Sequence, residues 1–314
     1  CGSGLQSVID AAMMVQTGVA DCVIAGGVES MSNAEHYTLQ IRQGVRAGNM
    51  TLHDRLTRGR LMSQPQERFG IISGMIETAE NLARDYGISR EACDAYAVRS
   101  HRNAARAWAE GLFADELVPV GVPQKRGEPV IFAHDEGYRA DATVEGLAQL
   151  KPIEGGVVTA GNASQQNDAA AACLVVAEDK LAELGLEPIA FFTGWAAAGC
   201  DPSRMGIGPV PAVERLFART GLGWDDMDVV ELNEAFAPQV LAVLKGWGWS
   251  EDDSRMAMLN VNGSGISLGH PIGATGGRIL ANLTRELVRR GGRYGLETMC
   301  IGGGQGLAAI FERA

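Results

Sequence analysis

Several features that would assign this sequence to other protein classes are scarce or missing. No apolar run approaches the ~18 residues that a membrane-spanning helix needs. The six cysteines are scattered, with neither a C-x-x-C pair nor histidines at zinc-finger spacing, so we expect free thiols and no structural metal. Positive charge is also limited: the net charge of -11 argues against nucleic acid or an acidic membrane surface as a partner.

Glycine, in contrast, is abundant. The 314 residues include 41 glycines and are 46% hydrophobic, a composition typical of a globular α/β enzyme with many tight turns. The chain exceeds the length at which one hydrophobic core usually stops growing, so we expect at least two domains. No signal peptide precedes Cys1, although a missing N-terminal segment could carry one, and we expect a cytoplasmic protein. No motif in the sequence implies a metal or redox cofactor.

The first residues predict a helix that begins at a cysteine. After Cys-Gly-Ser-Gly, apolar residues fall at positions 5, 8, 9, 12 and 13, the spacing of one helix face, and Gly18 ends the pattern. Cys1 therefore lies at a predicted helix N-terminus, where the helix dipole and free N–H groups favour the thiolate. A short strand is predicted next, over residues 22–25, broken by Gly26 and Gly27.

The rest of the chain alternates helices and strands around one insertion. Residues 33–155 are more charged and contain a long helical stretch at 89–111, so we interpret them as an inserted loop domain. The core resumes near residue 157 with a small-residue stretch that fits a helix or a strand. Further elements are predicted as a strand at 188–199, a helix at 209–221, a strand at 228–232, helices at 233–248 and 270–292, and a strand at 296–301.

Two stretches of the sequence echo each other. Cys1-Gly-Ser-Gly precedes a helix, a strand and Gly26-Gly27, and His270-Pro-Ile-Gly precedes the same series ending at Gly302-Gly303. If both halves fold alike, Cys1 and His270 face each other from matching helix N-termini across a pseudo-twofold axis. Repeated α/β units also produce such coincidences, so the echo alone leaves both interpretations open.

Four side chains are candidates for chemistry, and each also has a structural interpretation. Cys1 is a nucleophile or a small buried residue. His270, in a run of glycines that allows close approach of a ligand, is a candidate base. Cys300 precedes a glycine cluster and is a proton carrier or a buried strand residue. Asn233 follows a strand and is either a helix N-cap or a side chain directed into a cleft. The remaining histidines, in charged or polar contexts, are predicted to be solvated: His36, His53, His101 and His134.

Six sequence blocks in this order resemble the signature motifs of the thiolases, in particular the β-ketothiolase or acetyl-CoA acyltransferase group: CGSGLQSV, GGVESMS, TAGNAS, NEAFA, SGISLGHPIGATG and CIGGGQG. The resemblance covers the whole chain. It implies a thiolase-like α/β fold of two similar halves, layered α-β-α-β-α, with residues 1–32 and 156–185 in the first, 33–155 as a mainly helical loop domain, and 186–314 in the second. Since the family nucleophile is internal, the resemblance also implies that the first half is incomplete and that a segment precedes Cys1.

The resemblance assigns a role to each candidate. Cys1 matches the cysteine that carries the acyl group as a thioester, and His270 matches the base that activates it. Cys300 matches the thiol that moves a proton at the α-carbon of the second acyl-CoA. Asn233 matches the residue that holds a water, which forms one oxyanion hole together with His270, and the backbone N–H groups of Cys1 and Gly302 match the other. The implied reaction is reversible cleavage of a 3-ketoacyl-CoA by CoA.

Further residues match the family's binding site for CoA, which is a substrate rather than a cofactor. Arg139 matches a basic residue near the adenine nucleotide end. The pantetheine loop is matched by Ala160, Gly161 and Ser164, and the apolar pocket wall by Met75, Met205 and Phe236. Gly74 departs from the pattern, since many relatives have a histidine there, and this leaves the acyl-chain length open. The family also implies a homo-oligomer, either a dimer or a tetramer built from two dimers, with contacts from the loop domain.

Two other functions are compatible with parts of the sequence. An N-terminal nucleophile hydrolase would use the α-amine of Cys1 as its base, but this leaves His270, Cys300 and Asn233 without roles. A thiolase-like protein could instead bind acyl-CoA or lipid without turnover. The presence of all four reactive side chains argues against that alternative.

Overall fold

A computed structural model describes residues 1–250 and 252–314. Its strands are β1 (Cys22–Ser30), β2 (His36–Tyr37), β3 (His53–Asp54), β4 (Val120–Val122), β5 (Val130–Phe132), β6 (Asp168–Val176), β7 (Ala190–Gly199), β8 (Met227–Leu232), β9 (Tyr294–Ile301) and β10 (Gln305–Arg313). Its helices are α1 (Ser3–Gln16), α2 (Arg55–Leu61), α3 (Gln66–Phe69), α4 (Met75–Tyr86), α5 (Arg90–Ala109), α6 (Val144–Ala148), α7 (Leu181–Leu184), α8 (Pro209–Thr220), α9 (Ala237–Gly246), α10 (Gly265–Leu268) and α11 (Thr275–Arg290).

Two sheets sandwich a pair of central helices. The larger sheet has the order β7-β10-β9-β8, with β8 and β9 parallel, and the smaller one pairs β1 with β6 in antiparallel register. Between the sheets, α1 and α11 contribute Leu5, Ile9 and Leu283 to a core shared with Met299 and Phe311 of the larger sheet. The other face of the larger sheet packs against α8 and α9 in a second core. The layers therefore run sheet, helices, sheet, helices.

The central helices cross at glycines. A Cβ added at Gly4 would lie 2.9 Å from the backbone nitrogen of Gly277, and one added at Gly276 would collide with the backbone of Leu5. Outside the helices, a Cβ added at Gly27 of β1 would collide with the backbone carbonyl of Gly273. Only glycines permit this backbone-to-backbone contact. It places the N-terminal end of α1, which follows Cys1, against the turn that precedes α11.

Residues 33–155, predicted as a loop domain, are attached to the rest of the chain through buried charged groups. The carboxylate of Glu80 in α4 accepts hydrogen bonds from the backbone N–H groups of Val157 and Val158, at 3.0 and 2.8 Å. In α5, Asp94 pairs with Arg90 and accepts a hydrogen bond from Asn162. These contacts attach the helices of the insertion to the segment that re-enters the core after residue 155.

The structure corrects several predicted element boundaries. The strand predicted to stop at Gly26 continues to Ser30, because Gly26 packs against the backbone of β6 instead of forming a turn. The hydroxyl of Ser7 donates to the carbonyl of Gly26 and accepts its backbone N–H. The segment that fitted a helix or a strand is β6. The helices predicted from residues 233 and 270 begin at Ala237 and Thr275. None of the described helices has the length and apolarity to cross a membrane.

Candidate active site

Cys1 lies just before the central helix α1 and faces the end of strand β9. The side chain is half-buried, and a Cβ at the neighbouring Gly2 would meet the Ile301 side chain at 2.6 Å. A cavity of about 420 Å³ opens here, lined in part by Cys1, Gln6 and Gln305. The predicted position at a helix start is therefore close: α1 begins at Ser3, with Gly2 as its N-cap.

His270 lies in the turn between α10 and α11, five residues before α11 begins, and not at the helix N-terminus that the sequence echo predicted. Its ring is 6% exposed. Nδ1 lies 2.6 Å from the hydroxyl of Thr275, which itself donates to the carbonyl of Pro271, so that hydroxyl accepts from Nδ1–H. Burial is the main reason that the pKa of His270 falls to about 3. The imidazole is thus neutral, with the lone pair of Nε2 available to accept a proton.

Asn233 is directed toward His270 and does not cap a helix. Its backbone N–H donates to the carbonyl of Thr298 at 3.0 Å, and its side-chain Nδ2 lies 3.4 Å from Nε2 of His270. The N-cap of α9 is Phe236 instead. Within the described part of the chain, the buried Oδ1 of Asn233 has no hydrogen-bond partner. A buried polar atom without a protein partner suits contact with a water or a ligand.

Cys300 lies near the end of β9, fully buried, among the residues predicted as a pocket wall. Its cluster contains Met205 and Ala235, with Met75 and Phe236 packed against it. Burial raises the pKa of the Cys300 thiol to about 12, so the thiol stays protonated at neutral pH.

A tight glycine turn follows Cys300 and connects β9 with β10. Gly303 and Gly304 both have φ of 89°, a conformation that favours glycine. A Cβ at Gly302 would lie 3.6 Å from the sulfur of Met75. On the other side of Met75, a Cβ at Gly74 would meet no atom within 4 Å, so this position borders open space.

A second cavity, of about 450 Å³, contains most of the predicted CoA-loop residues. Arg139, Ala160 and Gly161 line it together with Gln165. The guanidinium of Arg139 donates to three carbonyls of its own loop, those of residues 136, 137 and 138, which holds the loop in a fixed shape. Ser164 lies beyond the lining residues and donates its N–H to the carbonyl of Ala235, which connects this loop to the cluster around Cys300.

The prediction for His101 was wrong. It is 4% exposed rather than solvated, lines the cavity beside Arg139, and accepts that residue's backbone N–H at Nδ1. Burial, with a smaller effect of Arg139, lowers its pKa to about 4. Position 101 falls on the same helical face as the other buried residues of α5, and this spacing was the signal in the sequence that could have predicted its burial. Glu234, fully buried beside Asn233, was also missed. Among the described residues no group of histidine, cysteine and acidic side chains could hold a metal ion.

Two family models match almost the whole chain in sequence. Residues 1–179 match "Thiolase, N-terminal domain" and residues 186–313 match "Thiolase, C-terminal domain". The acetyl-CoA acetyltransferase of Chromobacterium violaceum is 48% identical over 100% of this chain and 78% of its own length. A beta-ketothiolase of Cupriavidus necator is 47% identical, over 100% of this chain and 77% of its own.

Solved structures agree with the sequence matches. Human mitochondrial 3-ketoacyl-CoA thiolase superimposes with a TM-score of 0.92 at 41% identity, covering 100% of this chain and 77% of that one. A structure of the same human enzyme in complex with CoA gives a TM-score of 0.91, with 100% and 76% covered.

Proposed function

This chain belongs to the thiolase family and is an acyltransferase that acts on CoA thioesters, and from this premise we propose how its residues carry out the reaction. Cys1 is the nucleophile, His270 the base that takes its proton, and Cys300 the thiol that exchanges a proton with the substrate α-carbon. Asn233 holds a water beside His270 to form one oxyanion hole. The backbone nitrogens of Cys1 and Gly302 form the other.

In the cleavage direction, the Cys1 thiolate attacks the keto carbon. The bond between that carbon and the α-carbon then breaks, leaving its electron pair on the α-carbon of the departing acetyl-CoA. The Cys300 thiol supplies the proton that completes acetyl-CoA. CoA then gives its thiol proton to the Cys300 thiolate and attacks the acyl-Cys1 thioester, which releases the shortened acyl-CoA and the Cys1 thiolate. That thiolate takes its proton back from His270, so both thiols and the neutral imidazole are restored. These reaction steps require a neutral imidazole at His270 and a protonated thiol at Cys300 at the start, which are the forms that burial favours.

The observation that carries the proposal is the distance of 3.4 Å between Asn233 and His270, together with an unpartnered buried oxygen on Asn233. The test is the intact mass of the protein before and after brief exposure to acetoacetyl-CoA. We expect an acetyl adduct that disappears when CoA is added and does not form in Cys1→Ala. An adduct that persists in Cys1→Ala would contradict the assignment of the nucleophile. A protein that accumulates substrate without turnover would support acyl-CoA binding alone.

CoA occupies the cavity beside Arg139 in this proposal, as a substrate. The support is a relative solved in complex with CoA and a cavity lined by most of the residues predicted for its pantetheine and nucleotide ends. Ser164 and the apolar side chains Met75, Met205 and Phe236 connect this cavity to Cys300.

Assembly and location are part of the same proposal. We expect a homo-oligomer, a dimer or a tetramer, in which apolar side chains of the loop domain contact a second copy. All six cysteines are free, which suits a reducing compartment such as the cytoplasm.

A further inference from the structure

The carboxylate of Glu234 is enclosed and fully engaged as an acceptor. Its exposure is 0%. Oε1 accepts hydrogen bonds from the Tyr96 hydroxyl and from Nδ2 of Asn260, both at 2.9 Å. Oε2 accepts from the Ser100 hydroxyl at 2.6 Å and from the Ile266 backbone N–H at 3.2 Å. An ionised carboxylate offers about four acceptor positions and no donor, so these partners occupy all of them.

The donors come from separate parts of the chain. Tyr96 and Ser100 belong to α5, Asn260 to the segment between α9 and α10, and Ile266 to α10, which leads directly to His270. Glu234 itself follows Asn233. One carboxylate therefore connects the segment that carries Asn233 with the segment that carries His270, and both with the helix that contributes His101 to the CoA cavity.

Leu232, which precedes Asn233, is also held by hydrogen bonds. Asn260 accepts the N–H of Leu232 through Oδ1 and donates to the Leu232 carbonyl through Nδ2, both at 2.8 Å. Asn260 has φ of 44° and is the one non-glycine residue with positive φ in the described ranges. A non-glycine residue keeps this less favoured backbone conformation only where the surrounding contacts fix it, and here the two hydrogen bonds to Leu232 do so.

We propose that Glu234 is a positioning residue that sets the placement of Asn233 against His270, and so governs the carbon–carbon step more than acyl transfer. The proposal rests on the function proposed above, in which Asn233 and His270 form the oxyanion hole used by the acetyl-CoA carbanion. Acyl transfer to and from Cys1 uses the other oxyanion hole, near Gly302. A shift of Asn233 thus affects one half of the chemistry preferentially.

Glutamine cannot replace this carboxylate without loss. The hydroxyls of Tyr96 and Ser100 can rotate and accept from an amide, but Nδ2 of Asn260 and the N–H of Ile266 can only donate. These two fixed donors lie on different carboxylate oxygens. Whichever oxygen the NH₂ group of the amide replaces, that NH₂ group faces another donor. Either Asn260 or Ile266 then loses its hydrogen bond to residue 234.

The experiment compares two rates in the full chain with Glu234→Gln. The first is thiolysis of acetoacetyl-CoA, which breaks the carbon–carbon bond. The second is exchange of labelled CoA into acetyl-CoA, which uses only acyl transfer through Cys1. We expect thiolysis to fall roughly tenfold or more relative to exchange, with the KM for CoA unchanged. A merely structural role would lower both rates equally, because both would scale with the fraction of folded protein.

The matched control is Glu110→Gln, an exposed glutamate at the end of α5 paired with Arg106, which should leave the ratio of the two rates unchanged. If Glu234→Gln does not fold, the double variant Tyr96→Phe, Ser100→Ala removes the two hydroxyl donors without creating a donor clash and should shift the ratio in the same direction by a smaller factor. An unchanged ratio in whichever of the two variants folds overturns the proposal. A wild-type chain that shows neither rate would instead overturn the proposed function.

Discussion

At the scale of single residues, burial decides which protonation state each group at the site adopts. His270 and His101 are kept neutral, with pKa values of about 3 and about 4, and Cys300 is kept protonated, with a pKa of about 12. Desolvation disfavours the charged form in every case, although the direction of the shift differs between imidazole and thiol. The proposed base His270 and the proposed proton donor Cys300 are therefore both uncharged at neutral pH.

His101 should make the protein sensitive to acid. Its pKa falls from 6.5 to about 4 on folding, so between these values the unfolded chain binds the extra proton and stability declines as pH falls. Above pH 6.5 the contribution is constant. We expect His101→Gln to lose less stability on acidification through this window, by up to about 1.4 kcal/mol per pH unit, measured by urea unfolding at a series of pH values. Equal slopes for variant and wild type would contradict this.

Cys300 should be required for the carbon–carbon step but not for acylation. In Cys300→Ala no thiol supplies the α-carbon proton, and we expect kcat for thiolysis to fall by roughly 10²–10⁴-fold. The acetyl adduct on Cys1 should still form from acetyl-CoA, measured by intact mass. Loss of the adduct as well would assign Cys300 a role in acylation.

At the scale of elements, the crossing of α1 and α11 determines the site geometry, because it brings two segments together that are distant in the chain. A Cβ at Gly276 would collide with backbone, which cannot move aside as a side chain can. We expect Gly276→Ala to destabilise the protein by about 1–3 kcal/mol and to lower activity, measured by thermal unfolding and thiolysis. Gly59→Ala, exposed in α2 with nothing near its Cβ, is the control and should be neutral or slightly stabilising. A neutral Gly276→Ala would show that the helices can separate.

Two buried glutamates face each other on adjacent strands near this crossing. Glu231 of β8 and Glu297 of β9 are paired in register, and both are 0% exposed. Burial raises the pKa of both carboxyls well above 4.5; Glu231 raises the pKa of Glu297 further, while Arg278 opposes the shift at each. The folded chain then binds more protons than the unfolded chain, so their contribution to stability declines as pH rises above 4.5.

Glu297→Gln should therefore stabilise the protein at neutral pH, because an amide needs no proton when buried. We expect its advantage over wild type to grow with pH by at most about 1.4 kcal/mol per pH unit, measured by urea unfolding between about pH 5 and 8. The exposed Glu110→Gln should show no such trend. A variant less stable than wild type at every pH would mean that the carboxylate of Glu297 is stabilised by its surroundings.

Sequence patterns were sufficient where one local signal dominated. The helical spacing after Cys1 predicted α1, and the strand before Asn233 and the strand that contains Cys300 were predicted correctly. Predictions failed where the deciding contact was distant in sequence: Gly26 continues a strand because β6 lies against it, and His101 is buried because the loop around Arg139 covers it. The chemical roles and the domain boundaries remain predictions.

At the scale of the whole molecule, apolar side chains are exposed on the hairpin of β4 and β5 in the loop domain. Val120, Val130, Ile131 and Phe132 are all exposed. We expect Val130→Lys with Phe132→Lys to reduce the oligomeric state, measured by sedimentation velocity, because two charges would be buried in the contact with a second copy. Leu184→Lys, exposed outside the loop domain in α7, is the control. An unchanged assembly would place the subunit contact elsewhere.

The link between β6 and β7, residues 177–189, separates the chain into a part with Cys1 and Arg139 and a part with Asn233, His270 and Cys300. Neither part alone contains both the proposed nucleophile and the proposed base, and the two parts meet where the glycines of α1 and α11 cross. If the chain were expressed as two polypeptides divided within this link, neither polypeptide alone would catalyse the reaction, and turnover would return only when the two assemble. The protein thus offers a complementation reporter whose signal is an enzymatic rate.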